Sequence, residues 1–161
     1  MKKKIRNIIF AVFCIIFIPV LIINFIIMIK SFINPNEVPG IFGYKPMMVM
    51  TASMEDTIMT GDLVFVKKCE NKELKVGDII SYRDNYDTII THRIIEIIKK
   101  DNEIKYITKG DNNNTEDSEY VTQEQIEGIY VGKIAKLGGF LEFIQTPVGI
   151  AIILLFIVFF V

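Results

Sequence analysis

The chain has 161 residues, enough for one compact domain with membrane anchors and too few for two sizeable domains. A formal net charge of −1 leaves no strongly basic face, so nucleic acid is not an expected partner. Hydrophobic residues make up 51% and mean hydropathy is +0.40; the excess sits at the two ends, while the middle reads as ordinary globular sequence.

Lys2, Lys3, Lys4 and Arg6 precede an apolar run over residues 8–29, in which Asn24 is the one strongly polar side chain. At about 1.5 Å per residue, a helix over this run crosses roughly 30 Å of hydrocarbon. A cleavable signal peptide has a shorter apolar core, about 7–15 residues, ending at small residues. Here bulky Met28, Ile29 and Phe32 occupy the end, so an uncleaved anchor is expected. Pro19 falls inside the run, where a membrane helix tolerates it. Basic residues stay on the cytoplasmic side, which predicts a cytoplasmic N-terminus and an extracytoplasmic middle. Cys14 lies in the apolar run and Cys69 in the polar middle, so no disulfide framework is expected.

Asn34-Pro35-Asn36-Glu37-Val38-Pro39-Gly40 is a linker by composition, and Gly43 and Pro46 extend the irregular region. Met47-Met48-Val49-Met50 reads as a short buried strand that delivers Ser53 to its end. Further strands are predicted at Leu63-Val64-Phe65-Val66 and at Ile79-Ile80-Ser81-Tyr82, each after a Gly-Asp turn. Residues 88–98 are dominated by β-branched side chains, which favour a pleated strand over a helix. Asp101-Asn102 supplies a turn into a strand over residues 104–108, and residues 129–134 form a closing strand. An amphipathic stretch begins at residues 140–143. Residues 148–161 are then almost purely apolar but, at roughly 21 Å as a helix, too short to span a bilayer. The expected division is a basic tip and anchor over residues 1–33, a linker over 34–46, an extracytoplasmic β-domain over 47–139 and an apolar, membrane-inserted segment over 140–161.

A serine hydroxyl is a poor nucleophile at neutral pH and needs a base within hydrogen-bond reach. Ser53 follows the anchor, and His92, the only histidine, lies downstream in a predicted strand. A histidine base works best when a carboxylate holds its other nitrogen. Asp111 and Asp117, in the polar turn-forming stretch after Lys109, can each supply that partner. Lys67 and Lys68 adjoin the charged stretch Cys69-Glu70-Asn71-Lys72 and read as surface residues, because a lysine base requires burial. Met54 and residues 47–50 are flexible and apolar, suited either to a groove wall or to core.

Taken together, these motifs resemble the type I signal peptidases, and closely their serine–histidine branch, found in archaea, the endoplasmic reticulum and some Gram-positive bacteria. Ser53-Met54-Glu55-Asp56-Thr57-Ile58 matches the family's first motif, Ser-Met-x-Pro-Thr-Ile, after a first membrane helix. Gly61-Asp62 followed by Leu63-Val64-Phe65-Val66 looks like the second. Thr91-His92-Arg93-Ile94 carries His-Arg where the bacterial majority carries Lys-Arg, and Lys109-Gly110-Asp111-Asn112-Asn113 matches the next motif. Asp56 departs from the pattern, standing where the family often has proline. An aspartate is expected to cap that turn through its side chain, altering rigidity slightly without abolishing activity.

The resemblance implies a mainly β, twisted antiparallel signal-peptidase-like domain on an N-terminal membrane helix, with a second C-terminal apolar membrane segment. It implies Ser53 as nucleophile and His92 as general base. Asp117 is expected to orient His92, with Asp111 as the alternative or as a shaper of the site. Thr51 and the Ser53 N–H would form the oxyanion hole, Met54 would contact substrate, and Arg93 would be structural. The implied reaction is removal of N-terminal signal peptides from exported preproteins. No metal or cofactor is called for, and the lipid bilayer and secretion machinery are the other expected partners. The rival reading is a dedicated or catalytically silent assembly factor for surface fibres, pili or biofilm matrix proteins.

Overall fold

The structure, a computed structural model, describes residues 2–35, 37–69, 73–100 and 103–160. Asp101 and Asn102, expected to form a turn, lie outside the described residues, as do Met1, Asn36, Glu70, Asn71, Lys72 and Val161. Two compact units divide the chain: residues 40–140, and the terminal segments on either side of them.

In the terminal unit, α1 (Lys2–Ile33) is one continuous helix with Pro19 inside it. Its apolar side chains are mostly exposed, with Ile15 at 72% and Leu21 at 63%, and an 18-residue stretch within Lys3–Ile33 reaches a mean hydropathy of 3.1. That surface suits lipid rather than water. Asn24 returns its side-chain N–H to the Val20 carbonyl at 2.9 Å, which satisfies the one polar group in the run. After α2 (Leu137–Gln145) comes α3 (Pro147–Phe160). Thr146 caps α3, its hydroxyl accepting the Gly149 N–H at 3.1 Å, and Pro147 occupies the first helical position. By length and apolarity α2 and α3 match a membrane span only as a pair bent by 80°, whereas α1 matches one alone.

Residues 40–140 are built on seven strands: β1 (Tyr44–Met48), β2 (Leu63–Lys67), β3 (Ile79–Arg83), β4 (Ile89–Lys100), β5 (Glu103–Lys109), β6 (Val121–Thr122) and β7 (Ile126–Ile134). They form one sheet in the order β1-β2-β7-β3-β4-β5-β6, and every pairing is antiparallel. The mainly β, antiparallel architecture is therefore the one expected. β1 differs in detail: it starts at Tyr44, inside the expected linker, stops before Val49 and is half-buried rather than buried. As an edge strand it accommodates Pro46, which has no N–H to donate to a second neighbour. β7 starts at Ile126, earlier than expected, after a single 3₁₀ turn over Gln123–Gln125, and the two-residue β6 was not anticipated.

Alternation in β4 sends His92 and Ile94 inward, where Ile94 packs with Ile80, Tyr82, Tyr106 and Val121. A second core cluster joins Met54, Ile58, Val64 and Ile79 beneath the segment that carries Ser53. Full burial of each of these aliphatic side chains is worth about 1.5–3 kcal/mol. Asp62, immediately before β2 and 1% exposed, accepts Lys133 Nζ at 2.6 Å and the N–H groups of Met59 and Lys136 at 2.9 and 3.0 Å. It joins the end of the Ser53 segment, β2 and the residues after β7. Asp62→Ala strands two amides and leaves the partly exposed Lys133 ammonium without its carboxylate. The expected loss is about 3 kcal/mol of domain stability. Thermal unfolding of the full chain in detergent, followed by circular dichroism, measures it, and an unchanged midpoint would contradict this role.

Candidate active site

Ser53 lies in a tight series of turns over residues 51–58, not at the end of a strand. Glu55 N–H bonds the Ala52 carbonyl at 3.1 Å and Ile58 N–H bonds the Met54 carbonyl at 2.7 Å. Met54 and Ile58 point into the core, which fixes the turn and leaves Ser53 half-buried and Thr51 exposed. The Thr51 and Ser53 hydroxyl oxygens are 3.4 Å apart.

A second loop clamps this turn. Asn112 donates its backbone N–H to the Ser53 carbonyl at 2.9 Å and its side-chain amide to the Ala52 carbonyl at 3.1 Å. Gly110 makes the approach possible: a Cβ there would stand 2.5 Å from the Ser53 carbonyl oxygen. Asp111 takes a bidentate pair from Arg93, at 2.8 and 2.6 Å, and the Thr57 hydroxyl at 2.6 Å. A further Arg93 nitrogen donates to the Gly77 carbonyl at 2.8 Å. The serine turn, the Gly110 loop and β4 are thus tied by one guanidinium–carboxylate pair.

His92 is 7% exposed, and its Nδ1 lies 2.7 Å from Asp117 Oδ2. That oxygen also receives the Thr108 hydroxyl at 2.6 Å and the Tyr82 hydroxyl at 3.0 Å. Burial works to raise the Asp117 pKa, but the bonds from His92, Thr108 and Tyr82 outweigh it and hold the carboxyl below its usual range. The Arg93 pair, reinforced by Thr57 against a smaller burial effect, does the same for Asp111.

Ser53 and His92 line one groove of about 660 Å³, with Thr51, Met54 and the half-buried or exposed residues 47–50 on one wall and residues 88–91 on the other. Ile94 directs its N–H and carbonyl to Asp78 and Gly77, on the β3 side. By alternation the peptide groups of Ile89 and Thr91 face the opposite side. Pairing with β5 starts only at Arg93, so among the described residues this stretch of β4 has no strand beside it there. The groove therefore has an open strand margin next to His92.

Thr51, Ser53, Met54 and His92 are thus brought to one groove, with Asp117 behind the histidine. Asp111 is elsewhere, on Arg93. Met54 is 2% exposed, and its sulfur accepts the Asp111 N–H at 3.4 Å, so it is more core than open wall. Lys67 and Lys68 are exposed and do not line the groove; Lys67 lies over the Tyr44 ring. Sequence reasoning missed Thr57, Gly110 and Asn112 as clamps and Tyr82 and Thr108 as partners of Asp117. Only the Lys-Gly-Asp-Asn-Asn run hinted at the first group, and as a turn.

One expectation is corrected. Asp56 makes no side-chain hydrogen bond among the described residues; its backbone is left-handed, with φ of 74°. Aspartate tolerates that region, whereas proline is locked near −65°.

No protein-family model matches the chain. It is 36% identical to signal peptidase I W of Bacillus subtilis over 131 residues, which cover 81% of this chain and 66% of that protein. It is 38% identical to the signal peptidase complex catalytic subunit SEC11C of Homo sapiens over 72 residues, 44% of this chain and 38% of the relative. The sec11 subunit of Sclerotinia sclerotiorum is 35% identical over 100 residues, 56% of this chain and 58% of the relative. The chain belongs to the type I signal peptidases. It spans 66% or less of the length of these relatives.

Two outcomes follow from the geometry of this site. Stability supplied by the two depressed carboxyls is complete above the ordinary carboxylate range, near pH 4, and is lost as pH falls through their lower folded-state values. In melting temperature against pH, Asp117→Asn should flatten the acid side; an unaltered slope would remove Asp117 from that account. Asp56→Gly should match or exceed the parent in stability, while Asp56→Pro should lose about 2 kcal/mol or more, because the turn must reorganise. Side-by-side unfolding midpoints decide, and a proline variant as stable as the parent would refute the left-handed turn.

Proposed function

We propose that this chain is a membrane-anchored serine endopeptidase that removes N-terminal signal peptides from exported preproteins, acting with its β-domain on the extracytoplasmic side. The observation that carries the reading is a groove lined by both Ser53 and His92, with Asp117 2.7 Å from the histidine's far nitrogen. Ser53 Oγ attacks the scissile carbonyl as His92 Nε2 takes its proton, and the same proton later goes to the leaving amine. Asp117 holds the proton on Nδ1, so Nε2 carries the free lone pair. The Thr51 hydroxyl and the Ser53 N–H receive the developing oxyanion, an effect worth roughly 3–4 kcal/mol in such sites.

The substrate enters extended and adds to the open margin at Ile89 and Thr91, with main-chain bonds giving affinity and the apolar walls selecting small side chains before the cut. Its own membrane segment keeps it at the surface to which α1 tethers the enzyme. The relatives' names support the substrate class, and membership of a peptidase family leaves the assembly-factor reading without support.

The test is cleavage of a signal-peptide-bearing precursor by the full chain in membranes. Ser53→Ala and His92→Gln should each reduce processing by 10³-fold or more, an order expected when a member of such a unit is lost. Activity of the parent should fall as pH drops and the base takes a proton. Equal processing by the parent and Ser53→Ala would remove Ser53 as nucleophile.

A further inference from the structure

Three donors converge on a single oxygen of Asp117, and two of them have no part in the proton transfers above. Tyr82 comes from β3, 4% exposed, and Thr108 from β5, 0% exposed. Thr108 also lies 3.2 Å from the Tyr82 hydroxyl, so these two groups and the carboxylate form a closed triangle behind His92. The Asp117 N–H bonds the Thr108 carbonyl at 2.9 Å, which holds the aspartate's own backbone in place. Burial pushes the Tyr82 phenol well above its usual range, against the Thr108 hydrogen bond, and the neighbouring Asp117 adds to the rise. Tyr82 is therefore held in its protonated form, and its hydroxyl donates to Asp117.

Each bond donated to Asp117 Oδ2 spreads its negative charge. A carboxylate shared among three donors holds a charged imidazolium less tightly than one serving His92 alone. The other charges facing the pair are Asp111 and its partner Arg93, and Asp84 after β3, whose field reaches Tyr82. Asp111 is neutralised by its bidentate pair, which leaves the donors to Asp117 as the local control.

We propose that Tyr82 and Thr108 are positioning residues for His92: they fix Asp117 in line with Nδ1 and limit how strongly the carboxylate retains a proton on the ring, so that the histidine remains a free base at lower pH. The functional meaning of this inference rests on the peptidase reading, but its physical test does not. His92 is the only histidine in the chain, so nuclear magnetic resonance of ¹⁵N-histidine-labelled full chain in detergent reports this ring alone, without substrate and whatever the fate of Ser53.

The neutral ring should carry its proton on Nδ1. Tyr82→Phe deletes one oxygen and should raise the titration midpoint by about half a pH unit. Thr108→Val should move it the same way, and Thr108→Ser, which keeps the hydroxyl, should return it to the parent value. The acid limb of precursor processing should shift in parallel. Residues that served packing alone would lower the melting temperature and leave the midpoint where it was. A midpoint unchanged or lowered in Tyr82→Phe overturns the proposal.

Discussion

The Arg93–Asp111 pair is the constraint on which the site depends. Ser53 and His92 are far apart in sequence and come from different kinds of structure, one a turn and one a strand. A turn of eight residues has little rigidity of its own, because few of its peptide groups bond within it. Arg93 is the residue after the histidine, so by alternation it leaves β4 on the other face from His92. There it meets Asp111, which also takes the Thr57 hydroxyl from the serine turn. The position of His92 along β4 is thereby transferred to the turn bearing Ser53. Arginine suits this task better than lysine, because its planar fork fixes orientation as well as charge.

The two aspartates of the Gly110 loop divide the work by environment. Both are held ionised, Asp111 chiefly by a guanidinium and Asp117 by hydrogen-bond donors that overcome its burial. A half-buried carboxylate is costly unless its oxygens are satisfied. Tyr82 and Thr108 satisfy one of them without adding positive charge. A lysine in their place would compensate the carboxylate more fully, but would also weaken its hold on the imidazole.

Much of this was legible from residue types. The β-branched runs gave β2 to β5 and β7, and the serine, histidine and aspartates stood in motifs of fixed order. Two kinds of feature were not legible. β6 is only Val121–Thr122, too short for any periodicity, and exists because Tyr106 and Lys105 lie beside it. The roles of Gly110, Asn112, Thr57, Tyr82 and Thr108 are likewise long-range: each depends on which loop lands on which strand. Asp56 shows the limit of motif reading at its sharpest. The departure from proline was visible, but the backbone angle that makes aspartate suitable and proline unsuitable was not.

The register of β4 places His92 and the open margin on one strand. β5 begins to pair at Arg93, immediately after His92, and the preceding residues keep an open margin. Had β5 extended two residues further, its backbone would have occupied the peptide groups of Thr91 and closed the margin beside the histidine. Had it stopped two residues earlier, Lys109 would no longer pair with Arg93, and the Gly110 loop that follows would lose its anchor. The point at which the ladder ends therefore fixes two things at once: how far an added strand can run before it reaches His92, and where the loop carrying Asp111, Asn112 and Asp117 can begin. An extended peptide paired along this margin would be delivered to the groove in a fixed register, so under the proposed endopeptidase reading strand geometry selects the bond that is cut as much as side-chain pockets do.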